Sequence, residues 1–381
     1  MKAENNKIKI LYIYPSLTIG GAEELRFLAL KNLKNKTNYE FTICCIEKIG
    51  EIGEEIKKLG VNMFCLNKLS HPLNITVIFS LLKYLLRNRF DIVQTSLFNA
   101  NFHGRIAAIL ARVPVIISEE HSEHYQYRSL KFLPYIWSDR ILSIFTRKII
   151  CCSDNLMKSI SILEHIPENK LFLLLNSCNT ERLIAKRDPV EVRKELGLSE
   201  DDLVIGNIAY LSYRKGQDML IKAFSIINSA CASSKLIFIG DEDKKFKEEL
   251  NKMIQKAGVG AKIIFLGPKR DIADYLGIFD IFALFSRFEG MPLSMLEAMY
   301  MQLPVVANDI GGISEVIEHN KNGILVKDPS VEFFAKAVIE LIKDKKKRME
   351  LGKEAKRIIT EKFSPVNYTE RLESLYAGFY R

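Results

Sequence analysis

The sequence predicts an α/β protein of two doubly wound, Rossmann-like domains facing across a cleft. Three observations carry that reading. Apolar, β-rich runs alternate with amphipathic helical patterns along the chain, the pattern of parallel sheets with helices on both faces. The alternation falls into two similar blocks, separated by the polar stretch Thr180-Glu-Arg-Leu-Ile-Ala-Lys-Arg-Asp-Pro189, the expected linker. A chain of 381 residues, 48% hydrophobic, exceeds one ordinary domain.

In the first block, short runs of β-branched, aromatic and other apolar residues predict strands near Ile8 to Tyr14, Phe41 to Ile46, Asn62 to Leu66, Ile92 to Thr95, Val115 to Ser118, Ile149 to Cys152 and Phe172 to Leu175. Helical spacing fills the gaps, for example over Ala22 to Leu33 and Asn74 to Arg87. In the second block, strands are expected near Val204 to Ala209, Lys235 to Ile239, Lys262 to Leu266, Ile281 to Phe285, Pro304 to Ala307 and Gly323 to Val326. The domains are placed at 1–180 and 181–365. A last helix over Asn367 to Tyr380, within 366–381, is expected to pack back on the first domain.

Lys plus Arg at 55 against Asp plus Glu at 46 leaves a net charge of +9. This excess suits an anionic membrane surface or anionic substrates; no nucleic-acid motif accompanies it, and no nucleic-acid partner is expected. The seven cysteines show no metal or redox spacing and lie mostly in expected strands, predicting reduced core thiols in a cytoplasmic protein. The polar start, Met1-Lys-Ala-Glu-Asn-Asn-Lys-Ile8, predicts no signal peptide, and no apolar run reaches spanning length. Any membrane contact is expected to be peripheral. The basic run Lys343-Asp-Lys-Lys-Lys-Arg348 reads as a solvated helix face.

The most informative run is Ser286-Arg-Phe-Glu-Gly-Met-Pro-Leu-Ser-Met-Leu-Glu-Ala298, which follows a buried strand. Gly290-Met-Pro292 supplies a turn, and a helix is predicted from about Pro292 to Met301. The first amides of that helix, at Leu293 and Ser294, suit a diphosphate, because they lack helical acceptors and carry the positive end of the dipole. Glu297, a turn further in, can accept two hydrogen bonds from a ribose diol, and Glu289 in the loop can face a transferred sugar. The plain alternative is a dipole-stabilising Glu289 and a solvated Glu297.

With these residues in view, the sequence resembles the family 4 retaining glycosyltransferases of GT-B architecture, the glycosyl transferases group 1. The resemblance covers nearly the whole chain and is densest in Leu266-Gly-Pro, the Glu289 to Glu297 run, Leu303-Pro-Val-Val-Ala-Asn-Asp309, Gly311-Gly-Ile-Ser-Glu315 and Asn322-Gly-Ile-Leu-Val326. It implies a nucleotide diphosphate sugar, of UDP or GDP, as donor. Glu297 then binds the ribose hydroxyls, Glu289 the donor sugar, and amides near Leu293 and Ser294 the phosphates. Lys215, in Arg214-Lys-Gly-Gln217, matches the family's diphosphate lysine, where a leaving group of charge about −2 needs a point cation. Gly20 and Gly21 match the glycine loop near donor phosphates or acceptor. His121 stands where the family has a histidine against the donor sugar. Catalytic roles are expected for His121, Glu289 and Lys215. Against these readings stand a surface turn at Lys215, a tight turn at Gly20 and a lone loop histidine.

The chain departs from the family pattern at three places. Tyr210 occupies the usual arginine position, five residues before Lys215, and Arg214 is expected to supply the missing cation. Gly240-Asp-Glu242 replaces a Gly-x-Gly, and Asn176-Ser177 replaces Asn-Gly. Asp241-Glu-Asp243 spells the Asp-x-Asp of metal-dependent transferases but reads as a solvated helix start, so no metal or other cofactor is expected. Retention then proceeds through the donor phosphate, with helix dipoles and Lys215 in place of a metal ion.

The segment His124 to Arg140 mixes aromatics with basic residues and holds the only tryptophan, Trp137. It suits a membrane interface, a sugar or lipid acceptor, or a helix pair packed into the first domain. The function expected is transfer of a hexose or N-acetylhexosamine from a nucleotide diphosphate sugar to a glycan or a lipid-linked, polyprenyl-type acceptor in cell-surface polysaccharide biosynthesis. The alternatives are a sugar-nucleotide epimerase of the same fold and a catalytically silent donor-binding protein.

Overall fold

The computed structural model describes residues 7–34, 36, 38–122 and 133–380. The chain divides into two compact units, Met1–Asn176 with Pro365–Arg381, and Ser177–Ser364.

The first unit runs β1 (Ile8–Ser16), α1 (Gly21–Leu33), β2 (Tyr39–Lys48), α2 (Gly50–Lys58), β3 (Asn62–Cys65), α3 (Ile75–Arg87) and β4 (Ile92–Ser96). It continues through α4 (Phe98–Leu110), β5 (Val115–Glu120), α5 (Leu133–Phe145), β6 (Lys148–Cys151), α6 (Asp154–Leu163) and β7 (Leu171–Leu173). The seven strands form one sheet in the order β3-β2-β1-β4-β5-β6-β7, and every neighbouring pair is parallel. Parallel strands are covered on both faces, so β1 carries the buried run Ile10–Tyr14, and all five residues of β4 are buried although Gln94, Thr95 and Ser96 are polar. Helix α3 shows the complementary logic: Val77, Leu81 and Leu85, four residues apart, are buried, while Phe79 and Leu86 point to solvent.

In the second unit the order is α7 (Pro189–Glu195), β8 (Leu203–Ile208), α8 (Gln217–Ala230), β9 (Ser234–Ile239), α9 (Lys244–Ala257), β10 (Ile263–Phe265), α10 (Ile272–Leu276) and β11 (Ile281–Leu284). Then come α11 (Leu293–Tyr300), β12 (Val305–Asn308), β13 (Ile324–Val326), α12 (Val331–Lys343) and α13 (Lys345–Lys362). Its sheet is again all parallel, in the order β10-β9-β8-β11-β12-β13. A core of Phe224, Phe238, Phe285, Phe334 and their aliphatic neighbours fills one face, with Phe285 and Phe334 stacked at 4.2 Å between centroids. All the strands expected from sequence are present, shifted by a residue or two at their ends. The basic run 343–348 spans the α12–α13 junction, where Asp344 accepts from the Lys347 amide and Arg348 donates to the Leu341 and Ile342 carbonyls.

The last helix, α14 (Pro365–Ala377), belongs to the first unit. Tyr376 Oη lies 2.7 Å from Tyr12 Oη and donates to Gln94 at 2.6 Å, and Arg371 donates to the Leu173 carbonyl at 2.8 Å. The boundary between the units lies at Asn176/Ser177, earlier than the 180/181 expected. The polar stretch Thr180–Pro189 is not a free linker. Asp274 accepts from the Lys186 and Arg187 amides, and the Cys178 amide donates to the Phe363 carbonyl, so the segment is fastened to the second unit. No disulfide joins the seven cysteines, five of which are buried. Among the described residues, no helix is long and apolar enough to cross a membrane.

Candidate active site

In the second unit the strand order reverses between β8 and β11, so the connections from their carboxyl ends leave toward opposite sides of the sheet, the position where open α/β sheets hold ligands. Lys215 and Glu289 stand on those two loops. Lys215 Nζ lies 2.7 Å from both oxygens of the Glu289 carboxylate, and Ser286 Oγ donates to Glu289 Oε1 at 2.8 Å. Glu289 is 4% exposed. Burial pushes the Lys215 ammonium below the usual lysine range, and the Glu289 carboxylate opposes that shift. Arg214 Nη1 is 3.9 Å from Glu289 Oε2, so a second cation does stand at this carboxylate.

The surrounding sequence makes this contact. Gly216 takes φ +66, and a Cβ there would come within 2.0 Å of the Phe285 carbonyl oxygen, so only glycine lets the two loops approach. Arg287 clamps Asp218, at the start of α8, through two bonds of 2.7 Å. Asn308 donates to the Ser286 carbonyl at 2.6 Å. Gly311 has φ +52, and a Cβ there would meet the Glu289 carbonyl oxygen at 1.9 Å; the Gly311-Gly312 pair thus braces the Glu289 loop from β12.

Helix α11 follows directly. Its N-cap is Pro292, whose side chain offers no acceptor, so Leu293 and Ser294 open the helix with amides that this cap does not satisfy. Glu297 lies on the next turn and is 3% exposed, which removes the reading of a solvated glutamate. Its Oε1 is 2.7 Å from Arg182 Nη2. Burial raises the Glu297 carboxyl, while Arg182 and then Arg270 pull it down.

Gly20, Gly21 and His121 belong to the first unit, around its own reversal between β1 and β4. Gly20 is the N-cap of α1 and Gly21 its first residue. His121 follows β5, with Nε2 3.1 Å from Ser96 Oγ and 3.8 Å from Glu119 Oε2. Sequence reasoning passed over what lies behind it. Arg26, 1% exposed, donates Nη2 to Glu119 Oε1 at 2.7 Å and Nε to Tyr14 Oη at 2.9 Å, and stacks 3.9 Å from the Tyr12 ring centroid. Glu23, in the glycine loop, is also buried; desolvation lifts its carboxyl to about 7, opposed by its own backbone amide and by His121. The available signal was the pair of carboxylates in Ser118-Glu-Glu-His121, too polar an ending for a buried strand unless a cation waits there.

Other expectations resolve locally. Asp243 caps α9, accepting from the Lys245 and Phe246 amides, which is the helix-start role. Tyr210 is half-exposed, its phenol raised by burial and by Asp241, Asp243 and Glu242. Of the aromatic-basic segment, residues 124–132 lie outside the described residues. Trp137 on α5 is 57% exposed, so it is not packed into the core.

Comparison with known proteins agrees with the two-unit fold. The sequence pattern described as Glycosyltransferase Family 4 matches residues 19–182, and that described as Glycosyl transferases group 1 matches residues 190–358. The UDP-Gal:alpha-D-GlcNAc-diphosphoundecaprenol alpha-1,3-galactosyltransferase of Escherichia coli is 25% identical over 99% of this chain and 98% of its own length. A GDP-mannose-dependent alpha-(1-6)-phosphatidylinositol monomannoside mannosyltransferase of Mycobacterium tuberculosis is 30% identical over 51% of this chain and 52% of its own. In fold, the chain matches Anabaena HepE, solved in complex with UDP and glucose, with a TM-score of 0.84 and 20% identity over 97% of this chain and all of that one. Two all-parallel α/β units, matched one after the other by these two patterns, identify the chain as a glycosyltransferase of family 4 with the GT-B fold.

Proposed function

We propose that the enzyme transfers a hexose or N-acetylhexosamine, with retention, from a UDP- or GDP-sugar to a glycan or polyprenyl-linked acceptor in cell-surface polysaccharide biosynthesis. The observation that carries this reading is the Lys215–Glu289 pair at the strand-order reversal, directly ahead of the α11 amides and the buried Glu297. An entering diphosphate competes with Glu289 for the Lys215 ammonium, which frees Glu289 to meet the sugar. As the sugar C1–O bond breaks, its electron pair stays on the departing phosphate oxygen. The acceptor hydroxyl oxygen bonds C1 on the same face, and its proton passes to that phosphate oxygen. Lys215, Arg214 and the α11 dipole supply positive charge for the leaving group, so the reaction needs no metal. The names of the relatives support a lipid-linked or glycan acceptor.

Incubation with a panel of UDP- and GDP-sugars, with and without a polyprenyl-diphosphate-sugar acceptor and with a chelator, tests the reaction. Free nucleotide formed faster with acceptor, at a rate the chelator leaves unchanged, is expected. Epimerised donor, or binding without turnover, would contradict transfer.

We also place the enzyme in the cytoplasm, peripheral at a membrane carrying such acceptors. Trp137, Ile141, Ile144 and Phe145, on one face of α5, are each more than half exposed, and Arg140 lies 5.5 Å from the Trp137 ring centroid. An aromatic-aliphatic stripe with flanking cations suits an anionic interface, each basic residue adding about 1 kcal/mol. Sedimentation with vesicles is expected to carry the protein down when anionic lipid is included; protein left in the supernatant would remove the membrane claim.

A further inference from the structure

The donor reading assigns ribose recognition to Glu297 and nothing to Arg182, yet the two are in direct contact. Arg182 ends a short turn, Thr180–Arg182, at the start of the second unit, and its side chain is 20% exposed. Glu297, on α11, is 4% exposed in its side chain and gives one oxygen, Oε1, to Arg182 Nη2 at 2.7 Å. Three further facts bear on what the contact does. The charged and titratable groups facing Glu297 are Arg182, Arg270 and Cys178. Burial pushes both the Glu297 carboxyl and the Cys178 thiol up, and in each case Arg182 pulls the other way. Ribose binding needs an ionised, fixed acceptor, because a protonated carboxyl loses acceptor capacity and a mobile one pays entropy on binding.

We infer that Arg182 is a positioning residue for ribose recognition: by gripping Oε1 it fixes the Glu297 carboxylate so that Oε2 serves the ribose hydroxyls. The inference rests on the donor reading above. Arg182 contacts the Glu297 carboxylate directly, so in this role its effect is carried to the nucleotide through the ribose hydroxyls. A fork donor suits the task better than an ammonium, because its planar geometry sets the plane of the carboxylate.

The test is calorimetric titration of the full chain and of two variants, Arg182→Gln and Arg182→Lys, with UDP and GDP and their 2′-deoxy forms, near pH 6 and near pH 8. The wild type is expected to prefer the ribonucleotide about tenfold or more at both pH values. Arg182→Gln should lose about ten- to a hundredfold in ribonucleotide affinity and little for the 2′-deoxy form. Its preference should be weaker near pH 6 than near pH 8, because removing Arg182 leaves only Arg270 to oppose the upward push of burial on the Glu297 carboxyl. Arg182→Lys keeps the charge without the fork and should retain its melting temperature while losing about three- to tenfold for the ribonucleotide only. Equal losses for ribo and deoxy forms, unchanged discrimination, or tighter binding in the variants would overturn the inference. Wild-type protein that binds neither nucleotide, or binds without ribose preference, would overturn the donor reading itself.

Discussion

Lys215→Ala is expected to lower kcat by about a hundred- to a thousandfold, with a much smaller change in donor KM. A group that meets charge developing on a leaving group contributes on the order of 3–4 kcal/mol to the barrier. Lys215 holds the buried carboxylate of Glu289 through two bonds of 2.7 Å, and it stands at the strand-order reversal, where the diphosphate is proposed to bind. Its removal also leaves Glu289 short of a partner, a cost that Arg214, 3.9 Å away, reduces. Steady-state kinetics with the donor found in the panel, together with a thermal melt, separates the two effects. A melt close to wild type with kcat within about threefold would remove Lys215 from the chemistry.

The second large effect belongs to the first unit. Arg26→Met is expected to destabilise it by about 3–5 kcal/mol, because Glu119 is then left buried without its cation. Both side chains are essentially inaccessible, at 1% and 2%. Burial alone would raise the Glu119 carboxyl, but Arg26 and His121 together hold it down at about 2. A depressed carboxyl contributes stability that is fully present above its ordinary value of 4.5 and is lost as pH falls from there toward 2. The deficit of Arg26→Met should therefore be largest near neutral pH and shrink below about pH 4. Urea melts at the two pH values check this. The double change Arg26→Met with Glu119→Leu should recover much of the loss, since an apolar pair of similar volume replaces a buried ion pair at little cost. A loss under about 1 kcal/mol would contradict the account.

What could be read from the sequence, and what could not, follows from the range of the interactions concerned. Strands such as Ile8–Ser16 and Ile281–Leu284 declare themselves because a parallel strand is buried on both faces, which shows as the consecutive apolar runs Ile10–Tyr14 and Ile281–Leu284. Helix α3 declares itself through three buried residues at four-residue spacing. The Glu289 to Glu297 run was legible because strand, turn and helix N-terminus are all local. Arg182 and Arg26 were not, since each gains its meaning from a carboxylate far along the chain. Arg182 sits in a polar stretch that looks like a linker until Asp274 is seen to fasten it. Arg26 lies on α1 between the buried Leu25 and Leu28, where helical periodicity gives no hint of an ion pair. Tyr210 and Arg214 show the same limit in reverse: the missing arginine was visible in the sequence, but the nearness of Arg214 to Glu289 required the fold.

The central claim is that the loops at the carboxyl ends of β8 and β11, with the start of α11, hold a nucleotide diphosphate. A crystal structure of the protein with UDP or GDP tests it most directly. The account predicts ribose hydroxyls within about 3.2 Å of the Glu297 carboxylate, with phosphate oxygens at the same range from Lys215 Nζ and from an amide of Leu293 or Ser294. A nucleotide bound elsewhere, or one whose ribose lies away from Glu297 while Lys215 stays locked to Glu289, would contradict it.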